Sequence, residues 1–219
     1  SGEKVSQEFG RIWSIIDPGV SIKPYPCGVL THPTIDLMLK LVTEHDVRPD
    51  MIESVKVYAG SNILNPIRYP IAANHLQAKF SLPAALAMIA LARKAGKREF
   101  SDGFVGSPSM QAMQKRIVTE SDPEIEKLGF DKMRSRIAIG LKNGKKLEGW
   151  AEERYRGGPE NPLTDAELEA KVRSCCGGVL EEPCQSSLID TARSITTLSD
   201  VTQLMLIING LAGAETNRT

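Results

Sequence analysis

Residues 21 to 38, SIKPYPCGVLTHPTIDLM, gather a lysine, a tyrosine and a histidine among three prolines, just ahead of a segment with helical apolar spacing. The residue before a proline is restricted to extended backbone geometry, so Lys23 is predicted to stand on a stiff stem. A lysine held in this way can fix a substrate carboxylate or, when desolvated, act as a base near neutral pH. An ordinary surface lysine is the alternative that this position leaves open.

Two neighbours of Lys23 can also take part in chemistry. His32 lies at the predicted start of a helix, where the positive end of the dipole disfavours imidazolium and leaves a neutral ring that can accept or donate a proton. Spacing alone favours a simpler role for His32, as a cap or as a packing partner of Pro33. Tyr25, between two prolines, can donate its phenol to an oxyanion, although a tyrosine in this setting more often packs.

A second candidate site precedes the most apolar segment of the chain. His75 and Lys79 lie four residues apart, and Ser81 follows at the predicted start of a helix whose free backbone amides can receive an anionic group. A role as helix cap is the stronger interpretation of Ser81. Cys27 is interpreted as structural, because nothing in the sequence lowers the pKa of its thiol.

Several kinds of site find no support in the sequence. The three histidines form no HxH or HExxH pattern, and Cys175, Cys176 and Cys184 contain no paired CxxC, so we predict no metal and no cofactor. Glycine-rich nucleotide motifs and the GxSxG motif of hydrolases are also absent.

Composition narrows the range of partners. Lys plus Arg and Asp plus Glu both number 27, so no basic excess is available to bind nucleic acid. The longest uniformly apolar run, residues 84 to 92, is far shorter than the roughly 20 residues that cross a bilayer. Four cysteines without framework spacing or a preceding signal peptide favour reduced thiols in a cytoplasmic protein.

Periodicity predicts the elements that must position these side chains. The first half is expected to begin with a helix over 34–45, with Pro33 at its start and Asp36 in its first turn. A strand over 52–58 and an irregular loop over 60–74 are expected to follow. A buried helix is then predicted from Ser81 to about Ala95, where Gly96 ends it. Residues 107–115 are predicted as a short helix and 116–121 as a strand.

The second half begins with the most distinctive local pattern of the chain. Ile137, Ile139 and Leu141 alternate before Asn143-Gly144, which predicts a hairpin with a two-residue turn. Thr164 and Glu167 form a capping box for a helix reaching about Cys176, and two more helices are expected over 183–196 and 200–209. Helices in mixed order with an antiparallel hairpin indicate an α+β fold.

Four ordered stretches resemble the C-terminal portion of the MmgE/PrpD family: KPYPCGVLTHPTID, AKFSLPAALAMIAL, EFSD and PENPLTDAELEAKVRSC. That family includes 2-methylcitrate dehydratase, cis-aconitate decarboxylase and iminodisuccinate epimerase. The resemblance extends from about residue 10 over nearly the whole chain. The four stretches in this order indicate the family much more specifically than any one of them alone.

The resemblance implies an enzyme of two parts, an all-helical domain and a smaller α+β lid with a small antiparallel sheet. Residues 1–19 would then be a linker or the tail of the helical domain, 20–160 the lid, 161–213 helices that return to the helical domain, and 214–219 a disordered tail. The chain is accordingly expected to be a C-terminal fragment, inactive without the N-terminal helical domain. The full-length protein is expected to be a homodimer.

Carried over residue by residue, the resemblance assigns Lys23 to the lysine that opens the family's K-x-[FY]-P motif and His32 to a histidine common in this branch. Gly28 stands where the decarboxylase-like branch has a site histidine, which weakens a decarboxylase interpretation. The implied reaction removes a proton, or eliminates a group, beside a carboxylate of a small di- or tricarboxylate. Lys23 and His32 are therefore the candidate catalytic residues, and Lys23, Tyr25 and Ser81 the candidate substrate-binding residues. The alternative is a non-catalytic binding or assembly module that keeps the lid fold.

Overall fold

The computed structural model describes residues 9–11, 13–129 and 132–209. The chain divides into two compact units, with the boundary between Pro162 and Leu163. The tail predicted at 214–219 lies outside the described residues, and so do residues 1–8, residue 12 and residues 210–213 of the predicted C-terminal helices. The assignment of residues 20–160 to a lid and of residues 161–213 to a helical domain stays a prediction.

The first unit contains helices and strands in mixed order. In chain order they are α1 (His32–Glu44), β1 (Ile52–Ala59), α2 (Ser61–Leu64), α3 (His75–Ala78), α4 (Leu82–Ala92), α5 (Asp102–Val105), α6 (Pro108–Gln114), β2 (Ile117–Ser121), α7 (Pro123–Glu126), β3 (Ser135–Leu141) and β4 (Lys146–Trp150). Three-residue 3₁₀ turns lie at Val29–Thr31 and Pro49–Met51, and Ile15–Gly19 forms a turn that is interrupted by extended backbone at Asp17.

The four described strands form one sheet in the order β2-β1-β3-β4. β1 pairs with β3, and β3 with β4, in antiparallel fashion, whereas β1 and β2 are parallel. The small antiparallel sheet expected from the resemblance is therefore present as part of a mixed sheet with one parallel pair. A parallel pair needs a long crossover, and the chain supplies one through α2 to α6 between β1 and β2.

One face of the sheet is covered by helices and forms the core. Along β3 every second residue is buried, beginning with Ser135 and ending with Leu141. α1 packs against β3 and β4, while α4 packs against α1, α6 and β2. The predicted burial of α4 is confirmed, since its residues from Leu82 to Ala90 are almost entirely inaccessible. This mixed sheet with packed helices confirms the α+β class.

Two contacts fix α1 on the sheet. The hydroxyls of Thr34 and Ser135 are joined by a buried hydrogen bond of 2.8 Å. In β4, Gly149 allows close approach, because a Cβ at this position would lie 2.8 Å from Leu37 Cδ1. The rotation of α1, and with it the direction of His32 and Asp36, is set by these contacts.

The end of α4 and the start of the loop predicted over 60–74 differ from the structure. α4 ends at Ala92 rather than near Ala95, because Arg93 adopts a left-handed conformation with φ 52° and stops the helix before Gly96. The Arg93 guanidinium donates to Asp46 Oδ1 at 2.5 Å, which holds this turn. The loop predicted over 60–74 also begins with one helical turn, α2.

The hairpin between β3 and β4 is confirmed, but its turn is longer than predicted. The Leu141 amide donates to the Lys145 carbonyl at 2.9 Å and the Gly144 amide to the Leu141 carbonyl at 2.8 Å, which closes a three-residue loop. Gly144 takes φ 84°. A type I turn followed by a left-handed glycine replaces the two-residue turn expected from Asn143-Gly144.

The second unit is helical over its described residues. It contains α8 (Asp165–Cys176), α9 (Glu182–Arg193) and α10 (Thr202–Ile208), with a short turn at Ile195–Thr197. The predicted capping box is present, with Thr164 accepting from the Glu167 amide and the Glu167 carboxylate accepting from the Thr164 amide. Within the described parts of both units, no helix combines the length and the apolar character needed to span a bilayer.

Candidate functional site

Lys23 is exposed, and its ammonium group is held close to its own segment. Nζ donates to the Cys27 carbonyl at 3.1 Å. The Gly28 amide in turn donates to the Lys79 carbonyl at 3.2 Å, which joins the KPYPCG and AKFS stretches in space. An ammonium group has three donors, and the one bond to a described residue leaves two for a ligand. The Lys23 ammonium group is therefore accessible at the surface of the first unit, and the stiff stem expected from Pro24 stays a prediction.

Tyr25 is buried and belongs to a three-residue network. Its hydroxyl donates to Asp36 Oδ1 at 2.5 Å, and Arg156 Nη2 donates both to the Tyr25 hydroxyl at 3.0 Å and to Asp36 Oδ1 at 2.8 Å. Burial, followed by the Asp36 charge, raises the pKa of Tyr25 well above its usual range. The phenol is thus a permanent donor already committed to Asp36, and the substrate-binding role assigned to Tyr25 stays a prediction.

Asp36 and Arg156 were not recognised as a pair from the sequence. Asp36 was expected in the first turn of α1, where it would complement the helix dipole, but it lies beyond that turn and faces Arg156 instead. The two residues are 120 positions apart, and no local spacing relates them. The Gly157-Gly158 pair beside Arg156 was the available sign that another segment approaches closely there.

His32 is fully buried at the first position of α1, and neither ring nitrogen has a hydrogen-bond partner among the residues that the structure describes. Its ring meets that of Tyr25 edge to face, with the centroids 5.3 Å apart. Burial lowers the pKa of His32 from 6.5 to about 4, while the nearby Cys27 carbonyl opposes this shift without closing a hydrogen bond of ordinary geometry. The neutral ring expected from the helix dipole is present, but burial is the main cause.

The buried imidazole should make the protein sensitive to acid. The unfolded His32 gains a proton as the pH falls below 6.5, whereas the folded residue resists until about pH 4. Stability is therefore lost across this window, by about 3 kcal/mol in total. We expect the free energy of unfolding, measured by urea denaturation between pH 7.5 and 4, to fall less steeply in His32→Leu than in the wild type. If the free energy of unfolding fell equally steeply with pH in His32→Leu and in the wild type, His32 would not be a group whose protonation destabilises the fold.

Cys27 is buried beneath the same segment, and its thiol lies 3.3 Å from the Thr31 hydroxyl. Burial raises its pKa to about 11, against the opposing effects of Thr31 and Lys23. This agrees with the structural role inferred from the sequence, since a thiol that stays protonated is a poor nucleophile.

The reactivity of the cysteines gives a direct check of this burial. At pH 8 we expect iodoacetamide to modify the exposed Cys175 in the native chain and to modify Cys27 only after unfolding. Mass spectrometry of peptides from native and urea-treated samples measures both rates. Equal modification of Cys27 and Cys175 in the native protein would show that the segment around Lys23 opens freely.

The second predicted site is built around a cap. Ser81 is 1% exposed, and its hydroxyl oxygen accepts the Ala84 amide at 3.1 Å as the N-cap of α4. His75 is held by Asp102, which accepts both its backbone amide at 2.7 Å and its Nδ1 at 2.9 Å. The capping role of Ser81 is confirmed, and the substrate-binding role stays a prediction. Among the described residues, no group of three or more His, Cys, Asp or Glu side chains is placed to hold a metal.

Three of the four predicted site residues share contacts in the structure: Lys23 and His32 both lie at the Cys27 carbonyl, and Tyr25 packs on His32. Ser81 caps α4 two residues after Lys79, whose carbonyl accepts the Gly28 amide.

Most of the chain matches a domain that is known from other proteins. The model of the MmgE/PrpD C-terminal domain matches residues 25–196, which include most of the chain and begin two residues after Lys23. A search of the curated proteins found no significant match to the chain. On the extent of the family match, the chain belongs to the MmgE/PrpD family and carries its C-terminal domain.

Proposed function

We propose that the chain is the lid part of a cytoplasmic lyase or isomerase that acts on small di- or tricarboxylates, in the manner of 2-methylcitrate dehydratase. The observation that carries the proposal is Lys23, an exposed cation fixed between a proline and the Cys27 carbonyl. Removal of a proton, or elimination of a group, beside a carboxylate builds negative charge on the carboxylate oxygens. A fixed ammonium group stabilises that charge more in the transition state than in the ground state.

The other residues of the region have supporting roles in this proposal. His32 is inaccessible and neutral at pH 7, which favours an orienting role over direct contact with substrate. Tyr25 holds the His32 ring through its edge-to-face contact. The acid/base residues would come from an all-helical domain that forms the opposite wall of the site, within a homodimeric parent enzyme. The isolated chain is then expected to be inactive.

Reconstitution tests this proposal. The 219-residue chain is assayed alone and after co-expression with the helical domain of its parent, using 2-methylcitrate, cis-aconitate and iminodisuccinate as substrates. We expect turnover of at least one acid by the assembled protein and none by the chain alone. Full activity of the chain alone would overturn the need for a helical domain, and no turnover by the assembled protein would overturn the proposed reaction.

An apolar groove in the second unit favours the alternative function, a non-catalytic binding or assembly module. The groove has a volume of about 400 Å³ and runs between α8 and α9. Its lining combines apolar side chains with charged ones, Leu168, Val172, Leu188, Ile189 and Ala192 with Asp165, Glu169 and Arg193. An amphipathic helix of a partner chain fits such a lining. Tight binding of the helical domain without turnover of any acid would support the module over the enzyme.

A further inference from the structure

A short loop after β4 runs alongside the segment that carries Lys23. We call residues 155–159 the strap. The Ile22 amide donates to the Gly157 carbonyl at 2.8 Å, and the hydroxyls of Ser21 and Tyr155 are joined at 2.6 Å. Arg156 reaches the Tyr25 hydroxyl at 3.0 Å. Consecutive strap residues thus contact positions 21, 22 and 25, on both sides of Lys23.

Arg156 is the strap residue with the most specific contacts. Its guanidinium donates to Asp36 through Nε and Nη2, and Nη2 also reaches the Tyr25 hydroxyl. The planar fork of an arginine makes such simultaneous bonds at fixed angles, which the single ammonium of a lysine cannot reproduce. The Tyr25 hydroxyl closes the triangle by donating to the same carboxylate. Because Asp36 lies on α1, this triangle ties the strap, α1 and the Lys23 segment together.

The position of Lys23 follows from these bonds. The bond from the Ile22 amide to the Gly157 carbonyl holds the backbone before Lys23. The bond from Arg156 to the Tyr25 hydroxyl holds a side chain after it, so Lys23 and Pro24 lie between two fixed points. Pro24 has a restricted φ, which leaves fewer backbone rotations to absorb a displacement of Tyr25. A shift of the Tyr25 side chain therefore moves the backbone from which Lys23 extends.

We propose that Arg156 is a positioning residue that sets Lys23 for the reaction described above, and this inference rests on the proposed function. Arg156 acts through Tyr25 and Asp36 and is not assigned a contact with substrate. Misplacement of a catalytic group by about 1 Å can cost a hundredfold in rate. Loss of the fork should therefore lower kcat more than it raises KM.

The test compares Arg156→Lys and Arg156→Met with Arg154→Lys. Arg154 lies two residues earlier, and its side chain forms an exposed ion pair with Glu160, so it is a matched control. The first readout is kcat and KM of the assembled enzyme. The second is the ¹³C NMR signal of reductively methylated Lys23 in the 219-residue chain, identified with Lys23→Arg. Arg156→Lys keeps the charge, so it remains informative if Arg156→Met does not fold.

We expect Arg156→Lys to lower kcat by about 10- to 100-fold with less than a threefold change in KM, and to shift the Lys23 signal. Arg154→Lys should match the wild type in both readouts. An unchanged kcat in Arg156→Lys, with or without a shifted Lys23 signal, would overturn the inference when the wild type is active. If the wild type turns over no acid, the proposed function fails, and the Lys23 signal alone then decides whether Arg156 positions this lysine.

Discussion

Replacing Lys23 with methionine is expected to lower kcat/KM of the assembled enzyme by about a thousandfold. The methionine keeps the apolar stem but removes the ammonium group that would face the charge developing on the carboxylate. Loss of one preorganised donor to a developing oxyanion costs about 10²- to 10³-fold, and here the donor is also charged. Since the Lys23 side chain is exposed and its one described hydrogen bond is to the Cys27 carbonyl, the stability of the chain should change little.

Lys40 provides the control for this substitution. It is also exposed, and it lies on α1 within the same unit. Lys40→Met should leave both kcat/KM and the urea midpoint at the wild-type values. If Lys23→Met, or the more severe Lys23→Ala, leaves kcat/KM unchanged, Lys23 is not a site residue, and the observation that carries the proposed function is lost.

Gly157→Ala is expected to have the largest effect on stability, about 3 kcal/mol of the free energy of unfolding. A Cβ at Gly157 would lie 2.1 Å from the Ile22 carbonyl oxygen, and the obstacle is backbone that cannot rotate away. Gly157 also has φ 90°, a conformation that alanine adopts only with strain. The strap would have to separate from residues 21–25 and give up the bond between the Ile22 amide and the Gly157 carbonyl.

The Gly144→Ala variant separates the two causes of the lost stability, the close approach to Ile22 and the strain of a positive φ. Gly144 has a similar φ of 84°, but a Cβ there would meet nothing within 4 Å. Its substitution should therefore cost only the conformational strain, about 1 kcal/mol. Urea denaturation at pH 7.5, with m values compared between variants, measures both changes. Equal losses of stability in the two variants would mean that the close approach of the strap to Ile22 does not exist in solution.

Sequence reasoning worked best where local chemistry dictates local structure. The buried α4 followed from its nearly continuous apolar composition, and the β3-β4 hairpin from alternation ending at a glycine. Thr164 and Glu167 predicted the start of α8 because both members of a capping box lie within one helical turn. These signals act over a few residues and do not depend on the rest of the fold.

The arrangement around Lys23 was predictable only in part. The prolines indicated an extended stem, and the helix start indicated a neutral His32, but the complete burial of that ring depends on packing that its neighbours in sequence do not reveal. Asp36 was assigned to the helix dipole because its partner, Arg156, lies in a loop beyond the whole sheet. The parallel pairing of β1 with β2 was missed for the same reason, since it depends on the path of a long crossover.

The strap also has a consequence for the order in which the protein forms. Arg156 and Tyr25 are 131 positions apart, and the strap follows the last strand of the sheet. During synthesis from the N-terminus, residues 21–25 emerge first but cannot acquire their final geometry until residue 159 has been made. Contacts of such long range form late, because the chain must close a large loop before they can contribute. The region around Lys23 is therefore among the first parts of the unit to be synthesised and among the last to be completed.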